Sequence, residues 1–468
     1  MTDINTITIT SDPRSKGSTG TPGHERSLPS LAEEAHQSQT NLMERIASIA
    51  NLKLAFKAVR RNKGAPGIDN TTISQIEENL SEHLNALQTS LIDGTFKPMA
   101  VKGVSIPKKN GKTRLLGIPT IIDRIVQQAV AQIISPIFDP TFSNSSYGFR
   151  PKRSAHDAVK AASSYVKEGR SWVADIDLEQ FYDNLNQDRL MSKLAQTIKD
   201  KALLKLIRQF LRVGLLQDGL ITVRTQGTSQ GSPLSPILSN IYLADLDTEL
   251  ERRGHKFCRY ADDCNIYVRS KEAADRVMTS ISRFIKVRLK LKVNSAKSAA
   301  APVSSRQFLG FRLKTDGTIT ITKESVGAFK DKVRQITKRN RGINLERLIF
   351  ELNQVVRGWF HYFKVGEYPT ILKELDCWIR RRLRCFRLKQ RKRKYAIKSL
   401  LSSMDQNQQD SWAIACSRKG WWRKSLNHVV HRAMNLDWFK KSGLFALHEH
   451  FVTHKSKTAV CDIARTVV

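Results

Sequence analysis

Acidic residues are scarce in this chain, paired cysteines are missing, and no apolar run is long enough to cross a bilayer. Asp and Glu number 43 against 78 Lys and Arg, a formal charge of +35 over 468 residues. Self-repulsion makes such an excess a liability for a compact fold, and a polyanion offsets it; nucleic acid is the commonest one. An anionic membrane is the competing partner. No stretch approaches the roughly 20 apolar residues of a spanning helix, and the N-terminus lacks the basic-then-apolar pattern of a secretory signal. No membrane partner and a cytoplasmic, nucleoprotein-associated location are therefore expected. Cys258, Cys264, Cys377, Cys385, Cys416 and Cys461 contain no CxxC pair and read as reduced thiols. His428 and His431 have no paired cysteines beside them, and read as surface or packing residues rather than zinc ligands.

Residues 1–41 are rich in Ser, Thr, Pro and Gly, and a disordered N-terminal segment is expected there. From Leu42 a helical period begins, with Ile46, Ile49, Leu52, Leu54, Ala55, Phe56 and Val59 on or near one face. Lys63-Gly64-Ala65-Pro66-Gly67 breaks it. Helix and strand signals then alternate to about residue 320, as in an α/β or α+β fold. Beyond that, Leu345, Leu348, Ile349, Leu352, Val355, Val356 and Trp359 recur at the spacing of one helix face. The stretch Trp378–Lys398 crowds Arg380, Arg381, Arg382, Arg384, Lys389 and Arg391 among Trp378, Leu383, Phe386 and Leu388. One face can pack while another meets phosphates, which predicts RNA contacts from these six basic residues. Trp412, Trp421, Trp422 and Trp438 are expected mostly to fill a small C-terminal core.

Tyr260-Ala261-Asp262-Asp263 lies between Phe257-Cys258-Arg259 and Cys264-Asn265-Ile266-Tyr267-Val268, runs that suit two strands. Adjacent carboxylates at a hairpin tip are costly unless a cation neutralises them, and Mg²⁺ prefers such oxygen ligands. Asp also favours turns for backbone reasons alone, so the pair needs partners to mean more. Upstream, Ala174-Asp175-Ile176-Asp177 alternates like a strand with one polar face. Acids from separate strands are what a nucleotidyl transferase needs to hold two cations roughly 3.5–4 Å apart. Between the two segments, Gln226-Gly227-Thr228-Ser229-Gln230-Gly231-Ser232-Pro233-Leu234-Ser235-Pro236 is a loop that lets main chain approach a ligand, followed by a buried helix. Ile106–Pro119 looks like a basic hairpin, whose Lys108 and Arg114 suit a triphosphate.

Taken in order, these four segments resemble the fingers and palm of reverse transcriptases, most closely those of the group II intron-encoded reverse transcriptase/maturase family. In that family an acid is followed five residues on by an aromatic that screens the sugar 2′ position, which selects Asp177 with Tyr182 over Asp175. Gln230-Gly231 with Ser235-Pro236 matches its QGxxxSP motif, and Tyr260–Asp263 its YxDD box. Leu289–Asn294 with Lys297 looks like the next palm motif, and Phe308-Leu309-Gly310-Phe311 resembles the primer grip. Asn62–Asp69 and Tyr147–Pro151 resemble its finger segments, and Arg357–Phe363 with Trp378–Arg384 its thumb, or maturase, region.

The resemblance implies a right-hand fingers and palm over 42–318, a helical thumb/maturase domain over 319–404, and a small basic C-terminal segment over 405–468 that is a candidate DNA-binding domain. It implies Mg²⁺ held by Asp177, Asp262 and Asp263, nucleotide contacts from Lys108, Arg114, Tyr182 and Gln230, and Lys297 as proton donor to pyrophosphate. Its partners would be dNTPs, primer and target DNA, and a cognate group II intron RNA that the protein helps to splice and copies during retrohoming. Many relatives carry a C-terminal endonuclease with histidines and paired cysteines; lacking such pairs, this chain is expected not to cleave DNA. A retron, diversity-generating or CRISPR-associated reverse transcriptase would share the palm. A non-catalytic RNA-binding splicing factor is the alternative from another class.

Overall fold

The computed structural model describes residues 41–107 and 113–466, without the side chains of Arg114 and of 457–466. The disorder expected before residue 41 and the assignment of Lys108 lie outside the described residues, as does the side chain of Arg114. The helical period expected from Leu42 is broken at Ser48 into helices Leu42–Ala47 and Ile49–Arg61. Ser48 ends the first and caps the second by accepting the Asn51 N–H at 3.3 Å. Leu52, Ala55, Phe56 and Val59 are buried, whereas Leu54 faces solvent.

Strands β1 (Val101–Pro107) and β2 (Thr113–Ile118) form the basic hairpin. Strand β3 (Trp172–Ile176) follows a helix over Ala155–Lys167, and the short hairpin β4 (Leu215–Gln217) and β5 (Leu220–Thr222) extends the first sheet in the order β2-β1-β4-β5. Strands β6 (Lys256–Tyr260) and β7 (Asp263–Val268) are the hairpin around the paired aspartates. With β8 (Ala299–Pro302) they build an antiparallel sheet in the order β6-β7-β3-β8. A last hairpin, β9 (Phe311–Leu313) and β10 (Ile319–Ile321), leads into a helical region.

Register decides which side chains share a face of the second sheet. Val173 pairs with Tyr267, Asp175 with Asn265, and Cys258 with Asn265. Alternation therefore gives Ala174, Ile176, Phe257, Cys264 and Ile266 the opposite face. That apolar face packs into one core with helices α1 (Ile121–Phe138), α2 (Ser235–Arg252) and α3 (Lys271–Val287). Val173, Cys258 and Tyr267 instead enter a second core. It is completed by β9 and by helices α4 (Lys323–Ile336), α5 (Leu345–Phe363) and α6 (Pro369–Arg391) through Phe311, Phe329, Leu352, Phe363 and Leu383.

This second core continues past residue 404 through Ile414, Val430, Phe439 and Phe445, so the C-terminal segment has no separate core. The tryptophans do not fill it as expected: Trp412 and Trp422 are exposed, and Trp421 and Trp438 half-buried. Ile414, Val429, Val430 and Phe439 from short helices fill it instead, with Trp421 and Trp438 packed at its margin.

At the start of α1, Asp123 Oδ2 accepts from Thr120 Oγ1 at 2.8 Å and from the Met99 N–H at 3.2 Å. Burial nevertheless pushes this carboxyl up to about 6, from an ordinary 3.8. The folded chain then binds the proton more tightly than the unfolded one. This contribution to stability is therefore fully present below the unfolded value and is lost as pH rises through about 6. Relative to wild type, Asp123→Asn should gain about 2–3 kcal/mol between pH 4 and pH 7 in urea unfolding. A difference that stays constant over that range would contradict the account.

Candidate active site

Ala261, between β6 and β7, takes a left-handed φ of +58°, uncommon for a residue with a Cβ. Arg259 holds it there. Its guanidinium has no exposure to solvent. It donates to both Asp247 oxygens at 2.6 Å, to Ser146 Oγ at 2.7 Å, to the Ala261 carbonyl at 2.9 Å and to Asn240 Oδ1 at 3.0 Å. Each of its N–H groups has an acceptor. Burial works against the charge, but Asp247 outweighs it and holds the guanidinium above its ordinary value. The segment before Gly148 fastens the other side, with Arg259 N donating to the Ser145 carbonyl and Tyr147 N to the Arg259 carbonyl, both at 2.9 Å. A Cβ on Gly148 would stand 2.4 Å from Ala261 N, so glycine is required at that crossing.

Continuing the β3–β7 register one step past Ile176–Cys264 sets Asp177 beside Asp263, on the face that carries Asp175. Asp177 is fixed through its main chain by Ser298 Oγ at 2.9 Å and the Asn294 N–H at 2.8 Å. Its carboxylate accepts from Lys297 Nζ at 2.9 and 3.2 Å and from Asn294 Nδ2 at 3.2 Å. Asp175 is buried and accepts from Arg306 Nε at 2.7 Å; Arg306 also donates to the Lys297 carbonyl. One guanidinium thus ties the lysine's loop to the sheet. Burial, and then the charges of Asp175, Asp262 and Asp177, push the Asp263 carboxyl up to about 8, with Lys297 pulling the other way.

The structure therefore brings Asp177, Asp262, Asp263 and Lys297 together, and assigns Asp175 to a structural ion pair. Oxygen donors with surplus negative charge are the kind of group that suits a hard divalent cation. Among the described residues, no three carboxylate, imidazole or thiol groups converge tightly enough to close a coordination shell as they stand. The Lys297 ammonium instead lies against Asp177.

Tyr182 belongs to a short helix, Phe181–Asn184, that follows Asp177 in the chain. The glycine-rich loop packs on it: Thr228 N donates to the Tyr182 carbonyl and Gly227 N to the Leu185 carbonyl, both at 2.7 Å. Gly227 has φ +78°, and a Cβ there would meet the carbonyl oxygens of Asp183 and Tyr182 at 2.6 and 2.7 Å. On its other side the loop meets β2, where the Gln230 carbonyl accepts the Gly117 N–H at 2.9 Å. Tyr182 and Gln230 are thereby linked to each other and to the strand that bears Arg114.

The six basic residues predicted to touch RNA divide. Arg391 is exposed, and Arg380, Arg381, Arg382 and Lys389 are half-buried. Arg384 is buried, with its guanidinium donating twice to the Met434 carbonyl at 2.8 and 3.0 Å and lying 5.3 Å from the Phe439 ring. Burial, then Arg380, lowers it to about 10. It is a packing residue and is withdrawn from the predicted surface. Sequence reasoning passed over Arg259 and Arg306. A signal for Arg259 was present, since a charged residue stands in the apolar position of the Phe257–Arg259 alternation.

The family model described as reverse transcriptase (RNA-dependent DNA polymerase) matches residues 106–313, and that of the group II intron, maturase-specific domain matches residues 326–402. Protein YkfC of Escherichia coli (strain K12) is 30% identical over 310 residues, covering 58% of this chain and 80% of that protein. The group II intron-encoded protein LtrA of Lactococcus lactis subsp. cremoris is 30% identical over 336 residues, covering 57% of this chain and 55% of that protein. The chain thus spans about half of LtrA's length. Among solved structures, a partial Cas6-RT-Cas1–Cas2 complex matches 53% of this chain and 42% of its own at 25% identity, with a TM-score of 0.35.

The pairing of Asp175 with Arg306 is open to a double-mutant cycle. Asp175→Asn and Arg306→Gln should each destabilise the fold, and their combination by less than the sum, with a coupling of about 0.5–3 kcal/mol in denaturant unfolding. Strict additivity would show that the pair does not hold the Lys297 loop.

Proposed function

The chain belongs to the group II intron-encoded reverse transcriptase/maturase family and carries its RNA-directed DNA polymerase domain. From that premise we propose that it copies intron RNA into DNA during retrohoming, with Asp177, Asp262 and Asp263 as catalytic acids, and that it binds the same RNA to promote its splicing. The observation that supports this most is the meeting of Asp177 at the end of β3 with the Asp262–Asp263 turn, beside Lys297.

In phosphoryl transfer a protein mainly positions reactants and neutralises charge. Two Mg²⁺ ions held there would supply Lewis acidity to a primer 3′-OH and positive charge to the departing pyrophosphate. Asp177 and Asp262 would be the principal ligands, with Asp263 supporting the site. Lys297, already held against the acids, delivers a proton to the pyrophosphate. Tyr182 blocks the sugar 2′ position and so excludes ribonucleotides. Gln230 orders the nucleotide pocket, and Lys108 and Arg114 meet the triphosphate. Fingers and palm over 42–318 and a thumb/maturase domain over 319–404 divide this work, and the basic segment 405–468 contacts target DNA.

The RNA would be gripped through phosphate and shape contacts by the fingers and by the exposed basic residues of α6, Arg391 foremost. The splicing chemistry belongs to the RNA, and the protein stabilises its active fold. No helix among the described residues is long and apolar enough to cross a membrane, and the proposed setting is a cytoplasmic ribonucleoprotein.

Asp262→Ala should abolish cDNA synthesis, by about 10²-fold or more if a cation's contribution of several kcal/mol is lost. RNA binding and splicing assistance should survive. Primer extension at the wild-type rate would refute the site assignment. Affinity for intron RNA should also fall steeply with salt as counterions are released. A filter-binding curve nearly flat in salt would remove the proposed role of the excess positive charge.

A further inference from the structure

Where α4, α6 and the C-terminal segment meet, three guanidiniums and two indoles surround a cavity of about 260 Å³. Arg334, Arg339 and Arg382 line it with Trp378 and Trp422; Thr337 and Cys385 complete the wall, and no carboxylate does. The arginines are already oriented. Arg382 donates to Thr337 Oγ1 at 2.5 Å and lies 5.5 Å from the centre of the Trp378 ring. Arg334 lies 5.6 Å from the same ring and reaches the exposed Asp331 at 2.5 Å. Arg339 has a weaker partner, Cys385 Sγ at 3.8 Å. Burial lowers the Arg382 pKa and the two neighbouring guanidiniums lower it further, against a pull from Cys385. Like charges gathered in this way are relieved by an anion.

The second wall is equally fixed. Arg381 stacks 3.7 Å from the centre of the Trp422 ring and donates to the Trp422 carbonyl at 3.1 Å, which pins the indole against α6. Trp422 remains exposed, with 37% of its surface open to solvent. Size narrows the occupant. A cavity of about 260 Å³ is more than a phosphate fills and less than a duplex needs. Aromatic walls beside cations are the environment in which an unpaired base stacks while its phosphate is held.

We propose that this cavity is a one-nucleotide pocket for single-stranded RNA, with the base against the indoles and the phosphate among Arg334, Arg339 and Arg382. It rests on the reading of α4–α6 as an RNA-binding domain, and adds the place and the unit that is recognised: a single extruded nucleotide rather than a helix. An unpaired loop of the RNA would be anchored there, far along the chain from the acids that copy it.

Photo-crosslinking the full-length protein tests this. The probe is a short unstructured oligoribonucleotide carrying one 4-thiouridine, at salt high enough to suppress contacts made through phosphates alone. The crosslink is expected on the peptides bearing Trp378–Cys385 or Trp422, with equal yield in wild type and Asp262→Ala. Arg339→Glu, at an exposed position, should cut the yield about tenfold, and Arg339→Lys should retain most of it. No crosslink on those peptides, an undiminished yield on them in Arg339→Glu, or an equal yield when the thiouridine is paired in duplex RNA would each overturn the proposal. Retained DNA synthesis by Asp262→Ala would instead sink the polymerase assignment and leave the crosslink result standing.

Discussion

A charge taken wholly out of water is tolerable where every donor is met, and Arg259 meets that condition by drawing distant pieces of chain to one point. Asp247 and Asn240 come from α2, Ser146 from the segment before Gly148, and the Ala261 carbonyl from the turn itself. Removing one partner of such a buried pair typically costs about 3–5 kcal/mol, because the other is left charged and unpaired. The same energy enforces geometry. The left-handed Ala261, and with it the direction in which Asp262 and Asp263 leave the turn, is held by an ion pair behind the site. The face that carries the acids is therefore positioned from the rear, by groups on the other side of the sheet.

Charge is arranged on two scales. The whole chain carries +35, which favours approach to a polyanion. At its centre the sign reverses, because Asp175, Asp177, Asp262 and Asp263 cluster where two strands end. Arg306 neutralises the innermost acid and steers Lys297 toward the next. The remaining negative charge is what a small hard cation would satisfy. A basic exterior around an acidic centre suits a protein that takes nucleic acid from outside and holds cations within.

Much of this was legible locally. The β6–β7 hairpin followed from alternation on both sides of Asp262–Asp263, and the β1–β2 hairpin from its flanking strands. The long helices followed from their apolar spacing. What could not be read depended on contacts between remote segments. Arg384 looked like its basic neighbours, but the Met434 carbonyl covers it from 50 residues away. Ser48 interrupts a period that the apolar residues alone continue. The choice between Asp175 and Asp177 was beyond alternation too, since both lie on one face; Arg306, far along the chain, separates their roles.

One feature of the palm sheet reaches into how the protein comes to exist. Its two faces belong to two cores, and the second is closed by residues of α4–α6 and beyond. Synthesis runs from the N-terminus, so β3, β6 and β7 leave the ribosome while Phe363, Leu383 and Phe445 are still unmade. Until they arrive, Val173, Cys258 and Tyr267 present an uncovered apolar surface. The nascent polymerase is half-finished and adhesive for that interval. Its maturation waits on translation of the region that matches the maturase-specific domain, which acts first as a fold-completing cover.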